Sequence, residues 1–199
     1  GGGADFVTRV FGKAWSEGVG QQFFVDNRAG ANGNIGSELA AKSKPDGYTL
    51  LSVANTTVTI NPSLYRQMPI DMQRDLAPVS IMAGQPNVLV VHPSLPARSV
   101  KEMVAIARAR PGQLDYASAS TGSSSHIAAE LLRLEAKINI THVPYKGNGP
   151  AMADLIAGHV QLMFNNLAPS VSQVKAGKLR ALAVTSEKRS GAAPDVPTM

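Results

Sequence analysis

Nine consecutive residues, Ser118-Ala119-Ser120-Thr121-Gly122-Ser123-Ser124-Ser125-His126, carry more hydroxyl groups than capping a helix requires. An apolar run at 114–119 precedes them and a helical apolar period at 125–136 follows, so the stretch joins a strand to a helix start. The first turn of a helix leaves backbone N–H groups unpaired and carries partial positive charge. Small hydroxyl residues around it make an anion site with no cationic side chain. Capping uses one hydroxyl, and five serines and a threonine stand here. The surplus points to a polar or anionic ligand. A hydrolase would pair a serine with His126, but Ser125 and His126 are helix neighbours and point to different sides. The second glycine of a G-x-S-x-G nucleophile elbow is also missing.

Other candidate chemistry is weaker. Gly30, Gly33 and Gly36 are spaced G-x-x-G-x-x-G, whereas a dinucleotide fingerprint needs G-x-G-x-x-G under the pyrophosphate. No G-x-x-x-x-G-K-[ST] occurs either, so a structural glycine turn is the reading. His92, His126, His142 and His159 never stand three or four apart, and carboxylates are sparse beside them. Structural histidines are expected, with no metal site and no cofactor. Two more strand ends carry polar loops, Tyr145-Lys146-Gly147-Asn148 and Asn165-Asn166. Ligands bind at the carboxyl ends of strands in open parallel sheets, so these loops and 118–125 are expected on one rim. In the first half, 1–5 and Asn55-Thr56-Thr57 are expected to form another.

The elements that must position these groups alternate. Helical spacing covers 5–17, and 22–25, 48–53, 79–82 and 88–91 read as strands around a short helix ending near Lys42. Ser99-Val100-Lys101-Glu102 is a capping box opening a helix that stops at Pro111-Gly112. Strands at 114–119, 138–143, 160–164 and 179–184 then alternate with helices at 125–136, 150–158 and 171–176. This predicts α/β architecture with mostly parallel sheets flanked by helices. The stiff joint His92-Pro93-Ser94-Leu95-Pro96 suggests a domain crossing. The expected division is a first lobe at 1–91, with 191–199 returning to it, and a second lobe at 92–190.

Composition narrows the function classes. The chain has 199 residues, 44% of them hydrophobic and 17% charged, which supports a buried core. No cysteine is present, so disulfides and thiolate chemistry are excluded. The net charge of +5 is dispersed and aromatics are 5%, unlike the basic stripe of a nucleic-acid binder. No apolar run approaches the roughly 20 residues that cross a bilayer, so no stable membrane insertion is expected.

Ordered motifs run almost end to end: Gly1-Gly2-Gly3-Ala4-Asp5, the 26–36 segment DNRAGANGNIG, Pro45-Asp46-Gly47-Tyr48, Asn61-Pro62-Ser63-Leu64-Tyr65, His142-Val143-Pro144-Tyr145-Lys146-Gly147, 179–185 and Pro194-Asp195-Val196-Pro197-Thr198. In these the chain resembles the Bug receptors, the extracytoplasmic solute-binding proteins of tripartite tricarboxylate transport systems. The resemblance implies a two-lobed, type II-like periplasmic-binding-protein fold that closes on its ligand. It also implies a periplasmic location, membrane transporter subunits as partners, and a chain truncated at both ends. Family ligands are small carboxylates, aromatic acids or acidic amino acids. The ligand-binding residues then expected are Gly2, Gly3, Asp5, Asn55, Thr56, Ser118, Ser120, Thr121, Gly122, Ser123, Ser124 and Asn165. Two positions depart from the family: Ser120 replaces a usual glycine, and Asn165 stands where Asp is frequent. A neutral amide offers no full negative charge to a ligand ammonium, which counts against an amino acid.

A receptor needs polar groups but no acid–base pair. Neutral Ser, Thr and Asn at the rim therefore favour a carboxylate receptor over an enzyme of small organic acids. A ligand-sensing subunit would use the same binding chemistry.

Overall fold

The apolar runs of the second half each find a neighbour, and the sheet they build holds the candidate site. In the computed structural model, which describes residues 3–199, the chain divides into two compact units, one ending at Gly84 and the other spanning Gln85–Met199.

In the second unit the strands are β1 (Asn87–Val91), β2 (Asp115–Ser118), β3 (Thr141–Pro144), β4 (Leu162–Asn166) and β5 (Arg180–Val184). Their order is β3-β2-β4-β1-β5. β2 runs parallel to β3 and β4, while β1 lies antiparallel between β4 and β5. The sheet is therefore mixed, with one strand reversed among otherwise aligned ones. Alternation along each strand sends side chains to both faces. Leu89, Val91, Tyr116 and Phe164 join one core layer with Met103 of α6 (Val100–Ala109) and Leu132 of α7 (Ser124–Glu135). Val88, Val90, Ala117 and Met163 join the other with Leu155 of α8 (Asn148–Ala157) and Leu167 of α9 (Leu167–Lys175). Being apolar on both faces follows from having helices on both sides.

Helix boundaries follow local chemistry. Ser99 Oγ accepts the Glu102 N–H at 3.2 Å, and Glu102 reaches back to the Arg98 N–H at 2.7 Å. The capping box is thus displaced by one residue at its return arm. α8 ends where Gly158 takes φ 80°, a conformation glycine adopts without steric cost.

The first unit holds α1 (Gly3–Val19), a 3-10 turn at Ala31–Gly33, α2 (Asn34–Ala41), α3 (Asn55–Thr59), α4 (Asn61–Leu64) and α5 (Met72–Asp75). The strands expected at 22–25, 48–53 and 79–82 do not form there. An apolar run becomes a strand only when a ladder pairs its backbone, and among the described residues these segments find none. Phe24, Tyr48, Val79 and Ile81 are accordingly 85–93% exposed.

The expected crossing at 91–92 differs from the observed division between Gly84 and Gln85. β1 pairs on both edges inside the sheet of the second unit, which draws 87–91 into that unit. The 191–199 stretch, expected to return to the first lobe, also lies with the second unit. There the Val184 N–H donates to Pro197 O at 2.8 Å and the Met199 N–H to Val184 O at 3.1 Å.

Candidate functional site

Parallel pairing of β2 with β3 and β4 ends all three strands on one edge, at Ser118, Pro144 and Asn166. The loops that leave this edge are stitched together. The Tyr145 N–H donates to Ser118 O at 3.0 Å, and the Gly147 N–H to Ala119 O at 2.7 Å.

The hydroxyl-rich turn sorts into groups that build it and groups that remain free. Ser123 is the N-cap of α7: its Oγ donates to Ser120 O at 2.6 Å and accepts the N–H groups of Ser120 and His126, each at 3.4 Å. Ser125 Oγ lies 2.9 Å from it and accepts the Ala119 N–H at 3.0 Å. Both serines are buried. Gly122, at φ 84°, points its N–H at His126 Nδ1, 3.2 Å away. Thr121 and Ser124 are exposed, and their side chains make no hydrogen bond among the described residues. The N–H groups of Thr121, Ser124 and Ser125 likewise have no internal acceptor there. The helix start therefore offers three N–H groups and two hydroxyls.

Beneath the turn lies a ring stack. His142 and Tyr116 occupy paired positions on β3 and β2, with ring centroids 4.8 Å apart. His126 stacks on His142 at 4.3 Å. Ser118, fully buried, brings its Oγ to 2.6 Å from His142 Nε2. Tyr116 Oη donates to Glu130 at 2.5 Å, and Glu130 pairs with Arg133 at 2.6 Å. The Arg133 guanidinium holds the Glu130 carboxyl below its ordinary range. Burial lowers His126, and burial together with the adjacent His126 pushes His142 down to about 4. A second chain of contacts ties α8: Tyr145 Oη donates to Asp154 at 2.6 Å, and Asp154 lies 3.3 Å from His159 Nδ1. Burial pushes the Tyr145 hydroxyl up to about 12, with Asp154 adding to it.

Asn165 sits at the same edge but is turned towards α9. Its Nδ2 donates to Ser170 Oγ at 3.0 Å, and Ser170 Oγ donates onward to Asn166 O at 2.9 Å. Since that hydroxyl hydrogen is committed, the amide orientation is set. Asn165 Oδ1 is left as a buried acceptor with no partner among the described residues.

In the first unit the expected residues that are described stand at the starts of α1 and α3. Gly2 lies outside the described residues, and Gly3 begins α1. Asp5 is already engaged, accepting from Asn27 Nδ2 at 2.8 Å and Arg9 Nε at 2.9 Å. The Asn27 bond leads in holding its carboxyl low. Asn55 opens α3 and is exposed, whereas Thr56 is nearly buried. The polar centre of this unit is one the sequence did not single out. Asn61, fully buried, donates to Asn34 Oδ1 at 2.6 Å and Asn32 O at 3.1 Å, and accepts from Asn32 Nδ2 at 2.8 Å. Thr57 Oγ1 donates to the same Asn32 carbonyl at 2.8 Å. The network supports the glycine turn: Gly33 takes φ 91°, and a Cβ there would stand 2.8 Å from Thr57 Oγ1. Its members lie 25–29 residues apart, so no local spacing announces it.

A two-faced α/β unit with a neutral donor cluster at a strand-to-helix turn is an arrangement that can hold an anion. The chain matches the model of the tripartite tricarboxylate transporter family receptor over residues 7–199, and it belongs to that family. BugT of Bordetella pertussis is 40% identical over 200 residues, covering 100% of this chain and 61% of BugT. Among solved structures, the periplasmic binding protein BugD superposes with a TM-score of 0.94 at 32% identity, covering 100% of this chain and 66% of that one. Rpa4515 of R. palustris, solved with adipate, gives 0.91 at 38% identity, again covering 100% and 66%. The chain thus spans about three fifths of the length of its curated relatives, as the 59% and 61% coverages show.

Proposed function

We propose that this chain is the solute-capturing part of a periplasmic receptor for a small carboxylate, serving membrane transporter subunits and catalysing no reaction. The observation that carries the reading is the division of labour in the 118–125 turn. Ser123, Ser125 and Gly122 are spent on building it, which leaves Thr121 and Ser124 facing outward with unpaired donors. A carboxylate at these groups meets the positive end of a 12-residue helix with no side-chain cation to hold it. Neutral donors release an anion more readily than a bidentate arginine clamp does, and a receptor must unload. A relative solved with adipate fits this chemistry.

Against acyl transfer stands the state of the one serine–histidine contact in the unit's rim. Ser118 is fully buried, and His142, pushed down to about 4, is a poor general base at neutral pH. Asn165 enters first as a support of α9, because one of its two Nδ2 hydrogens is given to Ser170.

Native mass spectrometry of protein purified without added ligand is expected to show a bound small acid. Calorimetry with that acid, and with adipate, then tests the donors. Each lost donor to a charged group costs about 1.5–3 kcal/mol, roughly ten- to a hundred-fold in affinity. Thr121→Ala and Ser124→Ala should each weaken binding on that scale with unchanged stability, and Lys146→Ala should do less. Loss of binding with Lys146→Ala alone would replace the neutral-donor site by a salt-bridge site.

A further inference from the structure

The ring stack beneath the turn is more elaborate than filling a core demands. His126 occupies the third position of α7, where a capping box places Glu or Gln. Here the imidazole does the work: Ser123 Oγ accepts the His126 N–H, and His126 Nδ1 accepts the Gly122 N–H in return. That exchange fixes the backbone immediately before Ser124 and beside Thr121, the residues with free donors. An acceptor Nδ1 carries no proton, so His126 must be neutral with its hydrogen on Nε2. A second proton would turn Nδ1 into a donor facing the Gly122 N–H. His142 lies flat against His126 at 4.3 Å, and charge on either ring opposes charge on the other. Three further titratable groups face the pair: Tyr116 from β2, and Glu130 and Arg133 from α7. Glu130 and Arg133 are paired with each other, and Tyr116 is bonded to Glu130, so among the described residues no unpaired carboxylate faces the rings.

We infer that His126 and His142 are positioning residues for the carboxylate-binding turn, a stacked pair that holds the Thr121 and Ser124 donors in place only while both rings are uncharged. The inference rests on the reading of that turn as the ligand site. It makes ligand capture sensitive to acid in a direction opposite to simple attraction. If the histidines were cationic partners of the ligand, protonation would tighten binding. As positioning groups they lose the Gly122 bond on protonation, and binding weakens. Burial keeps His126 below its ordinary 6.5, so the turn stays assembled at neutral pH and loosens only on acidification.

The test uses nitrogen-15-labelled chain titrated from pH 7.5 to 4.5 by NMR, with adipate calorimetry over the same range. The Gly122 amide resonance is expected to move with the same midpoint as the His126 ring. Adipate affinity is expected to fall about tenfold per pH unit below that midpoint, because only the neutral fraction is competent. His126→Asn keeps an acceptor oxygen near the Nδ1 position and does not titrate. It should bind adipate at pH 7.5 and show only the loss due to adipate's own protonation. His126→Leu, with no acceptor, should bind weakly at every pH. A Gly122 amide indifferent to the His126 titration overturns the proposal. So does adipate binding that tightens on acidification in the native chain relative to His126→Asn. Should adipate not bind at pH 7.5, the carboxylate reading fails for this probe, and the coincidence or divergence of the two NMR midpoints alone decides the coupling of the rings to the turn.

Discussion

Asn165 shows how a polar side chain at the rim can be tied into the fold. One of its two N–H donors is spent on Ser170, whose own hydrogen goes to Asn166 O, and its acceptor is buried without a partner among the described residues. Replacing the amide by a carboxylate removes the Nδ2–H that Ser170 accepts and buries a charge. Asn165→Asp is therefore expected to lower stability at pH 7, by about 1–3 kcal/mol for the unsatisfied group, as read from urea unfolding. The sign of the pH dependence follows. A buried carboxyl has its pKa raised, so the folded state binds the proton more tightly than the unfolded state, and acidification recovers part of the loss. A variant as stable as the native chain at pH 7 would mean that the Asn165 side chain turns to solvent.

The start of α7 depends on one cap that serves several groups at once. Ser123 Oγ bonds Ser120 O and receives two N–H groups, so Ser123→Ala should cost about 1–2 kcal/mol of stability, within the range of N-cap losses. Binding should weaken as well, because the turn that presents Thr121 and Ser124 relaxes. Parallel thermal melts and calorimetry separate this from Thr121→Ala, which is expected to change binding alone. A Ser123→Ala chain that keeps its melting temperature but loses its ligand would reassign Ser123 to direct contact. The hydroxyl density of 118–125 was enough to find this turn in the sequence. Which hydroxyls the turn consumes was not legible, since that depends on the path of Gly122 and the folding back of Ser125 onto Ala119. The histidine pair was missed for a similar reason. His126 and His142 are 16 positions apart, and only the β2–β3 register and the docking of α7 bring the rings together. Elements of the second half were read to within a few residues because each apolar run meets a ladder partner. At 22–25, 48–53 and 79–82 equally apolar runs have none, and composition does not reveal pairing.

Across the whole molecule the two units differ in what protects their backbone. The second has a five-stranded sheet with a core layer on each face, and the first, among its described residues, has helices and unladdered extended segments. One strand, β1, was also read without its direction: apolar on both faces, it looks the same whether parallel or reversed, and the structure reverses it. Amide exchange depends on opening of hydrogen-bonded structure, and regions with few buried contacts open at low free-energy cost. In this chain, peptides covering 115–118, 162–166 and 180–184 should therefore exchange slowest. Peptides covering 22–25 and 48–53 should exchange nearly as fast as unfolded chain, with Phe24 and Tyr48 at 90% and 93% exposure. The buried Asn32–Asn34–Asn61 network marks the best-protected point expected within the first unit. Asn61→Ala should erase that local protection while leaving β2 and β4 unchanged, because the bonds Asn61 makes to Asn32 and Asn34 lie within the first unit. Mass-spectrometric exchange of the native and Asn61→Ala chains reads both effects in one experiment. Protection at 22–25 equal to that of β4 would show that those segments are paired in solution, and the distinction between the two units would then fail.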